Sequence, residues 1–233
     1  MNYSDFELLQ MQTDALFVYD ARKRMVSINE PEPDNPAPRF FLGRSAGGNI
    51  WHIRYDLSDD LSNELERLAA SEPVVSDLRE PPYHQMTYME LLAAHAPIGG
   101  TSTGPAYYLP KFDSPSRAVL VTEANRGLVE THFSWLYSHL EGYSPAAVMV
   151  EDGVAVTACS SVRLTPQAAE AGLYTQEGYR GRGYSVDAVR CWAEAVRATG
   201  RIPLYSTSWE NTASQAVARK LGAVQYGVDF NIT

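Results

Sequence analysis

The sequence is poor in cysteine, with only Cys159 and Cys191 among 233 residues. Two thiols make no disulfide framework, and no Cys or His cluster stands at metal-ligand spacing, so the expectation is a reduced, intracellular chain without a metal site. Nor does any stretch approach the ~18 apolar residues that a membrane span requires. The first twenty residues carry acids where a signal peptide has Lys or Arg, and they contain no unbroken apolar run. A soluble, cytoplasmic protein with no membrane contact is the reading. Surplus positive charge is lacking as well: 19 Lys and Arg face 28 Asp and Glu, a net charge of -9. Neutralising a nucleic-acid backbone calls for the opposite balance, so nucleic-acid binding is disfavoured. What is present is 45% apolar residues, enough to bury a core, at a length suited to one large or two small domains.

The negative charge is concentrated in the first half. Residues 1–113 hold 17 acidic and 9 basic side chains, whereas residues 114–233 hold 11 and 10. Within 178–220 the balance inverts: Arg180, Arg182, Arg190, Arg197, Arg201, Arg219 and Lys220 face only Asp187, Glu194 and Glu210. A basic segment in an acidic protein points to a small anionic ligand, because charge can be focused locally without a basic surface. Between the halves, residues 96–105 contain five prolines or glycines, and prolines follow at 110 and 115. Such residues punctuate structure rather than propagate it. The expectation is a loose segment there and a boundary near residue 113, giving an N-terminal domain 1–113 and a second domain 114–233.

The first domain reads as α+β, with strands at 15–20, 25–29, 39–44 and 49–55 and helices at 61–70 and near 86–94. The second begins with a strand at 118–122 and an amphipathic helix at 128–140, where Val129, Phe133, Leu136 and Leu140 share a face. Strands at 148–150 and 154–157 flank Asp152-Gly153, a two-residue hairpin turn. A strand at 169–175 leads through a glycine-rich turn into a helix at 185–199 closed by Gly200. A strand at 202–209, a helix at 212–221 closed by Gly222 and a strand at 224–231 complete a mixed sheet with helices packed on it. His132 and His139 lie seven apart on the first of these helices with no acidic partner suitably spaced, and they define no metal site.

The informative segment runs from Leu173 through Tyr174 and Thr175 to Ser185, with glycines at 178, 181 and 183. Glycine lets the backbone adopt positive φ and approach a ligand closely. The first amides of the following helix are unsatisfied and carry the positive end of its dipole, a setting for phosphate oxygens, and Arg180 and Arg182 add charge beside them. A Walker loop is excluded by the missing Lys, and a dinucleotide fingerprint fits poorly because Val186 stands where its third small residue belongs.

The motif Arg180-Gly181-Arg182-Gly183-Tyr184-Ser185 resembles the pyrophosphate-binding motif of the GNAT superfamily of acyl-CoA N-acyltransferases, with Ser185 as a small departure at its last position. A second stretch, from Asn211 through Ser214 to Lys220-Leu221-Gly222, is similar to a further helix of that family. The wording is somewhat like the glycine N-acyltransferase branch, and the resemblance covers roughly residues 115–233. It implies a GNAT fold, a mixed, splayed sheet flanked by helices, preceded here by the smaller α+β domain. It further implies that backbone groups near Leu173, Tyr174 and Thr175 pair with a pantetheine arm. Amides of Arg180, Gly181, Arg182, Gly183, Tyr184 and Ser185 would hold a pyrophosphate, and Asn211 and Ser214 would border the thioester. The co-substrate implied is acetyl-CoA or another acyl-CoA, and the acceptor a small-molecule or peptide amine.

Acyl transfer to an amine needs a base for the amine and a proton for the leaving thiolate. Glu170 is the candidate base. The family often places a tyrosine acid seven residues after the asparagine, and that position is Ala218 here. Ser208, Tyr226 and Tyr205 are the substitutes. Residues 1–113 would shape the acceptor pocket or form a contact in a homodimer, and their charge favours a cationic acceptor. An acyl-CoA-binding sensor without catalysis is the alternative, and a nucleotide-binding protein of another class the third reading.

Overall fold

The computed structural model describes residues 3–31 and 35–233. In chain order the elements are α1 (Asp5–Leu16), β1 (Phe17–Tyr19), β2 (Met25–Ile28), β3 (Phe40–Ser45), β4 (Gly48–Ile53), α2 (Asp59–Ala70), α3 (Gln85–His95), β5 (Thr101–Tyr108), β6 (Val119–Leu120), α4 (Ser134–Ser138), β7 (Ala146–Glu151), β8 (Val154–Leu164), β9 (Ala168–Thr175), α5 (Tyr184–Ala198), β10 (Ile202–Ser206), α6 (Thr212–Lys220) and β11 (Val224–Ile232). They fall into two units that are not consecutive in sequence. One comprises Met1–Tyr107, Ser206–Asn211 and Gln225–Thr233, and the other Tyr108–Tyr205 and Thr212–Val224.

The first unit is α+β. Its helix α1 starts from a capping box: the Ser4 hydroxyl accepts from the Glu7 amide at 3.3 Å, and the Glu7 carboxylate accepts from the Ser4 amide at 2.7 Å. These bonds satisfy two donors that a helix start leaves orphaned. β1 and β2 form a small antiparallel ribbon, and the larger sheet runs in the order β4-β3-β11-β5. β3 is buried along its whole length because both its faces are covered. On one side Phe40, Leu42, Phe230 and Ile232 pack with Leu65 and Leu68 of α2 and with Tyr88 and Leu92 of α3.

The second unit carries the sheet order β10-β9-β8-β7-β6. The β7–β8 hairpin turns through Asp152 and Gly153, both at positive φ, 49° and 79°, as a two-residue turn that matches strand twist requires. Helix α5 buries Val189, Trp192, Ala193 and Val196, four positions that repeat at helical spacing. The Trp192 indole N–H donates to the Ser161 hydroxyl of β8 at 3.1 Å, which satisfies an otherwise buried donor.

Three expectations change. Residues 128–140 are not one helix: a 3-10 turn at Glu123–Val129, the short α4 and a second 3-10 turn at Leu140–Tyr143 replace it. Val129, Phe133, Leu136 and Leu140 are nevertheless all buried in one apolar cluster. Successive turns bury a four-residue spacing as well as a helix does, and the intervening Thr131, His132 and Ser134 have weak helix propensity. The supposedly loose segment contains β5, with Gly104 and Pro105 inside the strand. A Cβ on Gly104 would meet the Thr207 carbonyl oxygen at 1.8 Å, so glycine there marks a close backbone approach rather than a turn. The strand expected at 118–122 is reduced to Val119–Leu120.

Candidate functional site

β9 leaves the sheet through a 3-10 turn at Glu177–Tyr179, and α5 begins directly after Gly183. Gly181 and Gly183 hold φ of 78° and 81°, a region that costs a side chain roughly 1–2 kcal/mol. A Cβ on either would have no neighbour within 4 Å. The glycines therefore serve backbone conformation and leave the face above them open. The first internal bonds of α5 run to the Gly183 carbonyl from the amides of Val186 at 3.0 Å and Asp187 at 3.4 Å. The N–H groups of Tyr184 and Ser185 precede them, at the positive end of a 15-residue helix whose N-cap is a glycine without a capping side chain. An anion fits this backbone.

Side chains pin the turn in place. Arg117 donates from Nε and Nη2 to one oxygen of Asp187, at 2.8 and 2.6 Å, and its guanidinium lies 5.7 Å from the Tyr184 ring centroid. The Tyr184 hydroxyl donates to the Glu151 carboxylate, a bond that raises the tyrosine pKa. Arg180 and Arg182 are both exposed. Arg180 Nε donates to the Thr175 carbonyl at 3.4 Å, and Arg182 donates to the Gly178 carbonyl at 3.1 Å while lying over the Tyr179 ring. Behind the turn, Thr157 of β8 donates to the Thr175 hydroxyl at 3.1 Å, and Thr175 and Ser185 share a hydrogen bond of 2.9 Å. Thr157 was missed from sequence: it stands in the apolar run Val154-Ala155-Val156-Thr157-Ala158-Cys159, where a strand residue reads as core.

The sheet opens beside this cradle. β10 runs parallel to β9 over three pairs, Ile202 with Ala168, Pro203 with Ala169 and Leu204 with Glu170. β9 continues to Thr175 on its β8 side. From Glu170 to Thr175 the strand advances about 17 Å, so an extended arm can follow its open edge from the cradle to the fork. β8 carries a bulge between Ser161 and Arg163. The bulged Val162 fills the space over Gly172, where a Cβ would lie 2.1 Å from Val162 Cγ1.

At the fork, Glu170 is buried, 1% exposed, and its carboxylate accepts from Arg163 Nη1 at 3.3 Å. Beside Leu204 follows Tyr205, also buried, whose hydroxyl lies 2.7 Å from the Ser214 hydroxyl of α6. Of the other residues singled out from sequence, Ser208, Asn211 and Tyr226 belong to the first unit. Asn211 is exposed and its amide donates to the Ser208 hydroxyl at 3.2 Å, so Ser208 helps cap the turn ahead of α6. Tyr226 is buried on β11, and Ala218, where the family's tyrosine would stand, is buried in α6. The structure thus joins Thr175 to Ser185 and to Arg180, Tyr205 to Ser214, and Ser208 to Asn211. Among the described residues no group of three or more His, Cys, Asp or Glu could hold a metal ion, and no helix is long and apolar enough to cross a membrane.

Residues 111–224 match the family described as acetyltransferase (GNAT) domain. Solved structures to which the chain is similar include a GNAT-family protein from Novosphingobium aromaticivorans, with 18% identity and a TM-score of 0.46; the match covers 58% of this chain and 65% of that one. A GCN5-related N-acetyltransferase-like protein from Streptococcus suis matches over 86% of each chain, with 15% identity and a TM-score of 0.49. A protein from Salmonella typhimurium, solved with its cofactor acetyl-CoA, matches over 52% of this chain and 94% of its own, with 15% identity and a TM-score of 0.37. No curated protein matches the chain in sequence. The family match is not specific to any branch; the likeness to the glycine N-acyltransferase branch rests on the motifs alone.

Proposed function

We propose, from the match of residues 111–224 to the GNAT acetyltransferase domain, that the chain transfers acetyl from acetyl-CoA to a primary amine by direct attack. The observation that carries this reading is the continuity of the cradle with the fork. An open, glycine-shaped helix N-terminus stands at one end of the free edge of β9, and a buried carboxylate stands at the other. A pyrophosphate has a place at 180–185, an extended arm has strand backbone to pair with at 173–175, and a thioester reaches the chemistry.

In this reading Glu170 accepts the amine proton through a water, with Arg163 holding its carboxylate. A hydroxyl supplies the proton to the departing thiolate, and Tyr205, bonded to Ser214, stands at the fork. Ser214 borders the thioester. The acidic residues 1–113 favour a cationic acceptor, a small amine or a peptide.

The test is release of free thiol from acetyl-CoA across panels of amines, amino acids and peptides. Release that depends on the acceptor supports the reading. Saturable acyl-CoA binding with no release on any acceptor would instead favour a sensor, a reading motivated by Ala218 at the place of the family's tyrosine.

A further inference from the structure

We propose that the Ser185 hydroxyl donates to the anion in the cradle and that Thr157 and Thr175 are positioning residues that make it a donor. This rests on the acyl-CoA reading and assigns a role to two side chains that it leaves unused. Thr157 and Thr175 are direct cross-strand partners of β8 and β9, so their hydroxyls emerge on the same face of the sheet. Thr157 is fully buried, at 0% exposure, between Val156 and Ala158. A hydroxyl in such a run needs a partner, and it finds Thr175 at 3.1 Å; Thr175 in turn meets Ser185 at 2.9 Å.

Each hydroxyl has one proton to give. Thr157 spends its proton on Thr175. Thr175 then passes its own to Ser185, and the Ser185 proton is left to point outward. The opposite polarity has Ser185 donating inward to Thr175. An anion at the N-terminus of α5 selects the first arrangement, because a hydrogen bond to a charged acceptor is roughly twice as strong as a neutral one and bonds in a chain strengthen each other. The anion thus sets the direction, and Thr157, by donating to the Thr175 oxygen, strengthens Thr175 as the donor to Ser185. Thr157, one strand behind the loop, tunes ligand affinity without touching the ligand.

The test is a double-mutant cycle on the full chain, read as the dissociation constant of coenzyme A by calorimetry, with thermal melting of the free protein as the control for folding. Ser185→Ala and Thr157→Val are each expected to weaken binding about 5- to 10-fold. Thr157→Ser, which restores the donor, is expected to bind as wild type does. Thr157→Val placed in the Ser185→Ala background is expected to cost nothing further, because the hydroxyl it serves is gone. An unchanged constant for Thr157→Val, or the same loss in both backgrounds, overturns the relay while leaving the acyl-CoA reading intact. Failure of the wild-type chain to bind coenzyme A overturns that reading, and the relay with it.

Discussion

Leu204 is the last residue through which β10 pairs with β9, and its partner is Glu170. The buried carboxylate therefore sits where the two parallel strands part, and the free edge of β9 leads from it to the glycine turn. If Glu170 is the base, Glu170→Gln should leave coenzyme A affinity unchanged and lower turnover by about tenfold or more. Steady-state rates with a responsive acceptor, paired with calorimetry, check this. Unchanged turnover removes Glu170 from the mechanism.

Gly183 carries the start of α5 at φ 81° with no atom near its missing Cβ. Gly183→Ala meets strain and no clash. The expected outcome is about 1–2 kcal/mol lost, part of it as stability by denaturant unfolding and part as weaker coenzyme A binding when the turn relaxes away from its anion-binding shape.

Gly172→Ala fails for a different reason. Its Cβ would lie 2.1 Å from Val162 Cγ1 on the bulge of β8, so overpacking should cost about 1–3 kcal/mol in urea unfolding. Val162→Ala in the same chain should recover most of it, because the clash is with one side chain.

His52 links stability to pH. Its ring lies on β4, 4.8 Å from Tyr19 and 6.4 Å from Phe41, and burial, aided by the charge of Lys23, pushes its pKa down to about 4 from the ordinary 6.5. Above pH 6.5 the ring is neutral in both folded and unfolded chains, so it exerts no pH dependence. As pH falls from 6.5 towards 4 the unfolded chain takes up a proton that the folded chain refuses. Stability is lost over that window, on the order of 3 kcal/mol in full. Unfolding of wild type and of His52→Phe, compared between pH 7 and 4, should show a difference that grows as pH falls; parallel curves would refute the linkage.

Much of the site is legible in sequence because backbone chemistry demanded particular residues. Positive φ at Asp152-Gly153, Gly181, Gly183, Gly200 and Gly222 marks the hairpin, the cradle and two helix ends, and all were placed from their residue types. Other elements depended on contacts that local sequence does not carry. The segment containing β5 reads as a loop because Gly104 and Pro105 are turn residues, yet Gly104 answers to the Thr207 backbone about a hundred positions away. Helix α1 had a signal that went unread, the Ser4-x-x-Glu7 capping box. Thr157 had none, since nothing local distinguishes a threonine that joins a hydroxyl chain from one that fills a strand. The fork at Leu204 and Glu170 likewise needs two strands in register before it exists.

The central claim is that the cradle binds an acyl-CoA, and thermal unfolding with competing ligands tests it most directly. A ligand that binds only the native state at about 100 times its dissociation constant adds about 2.7 kcal/mol, which for a chain of this size raises the melting temperature by roughly 5–11 °C. The account predicts that rise with acetyl-CoA and with coenzyme A, and none with NAD or ATP at equal concentration. A shift with NAD or ATP and none with acetyl-CoA would contradict it.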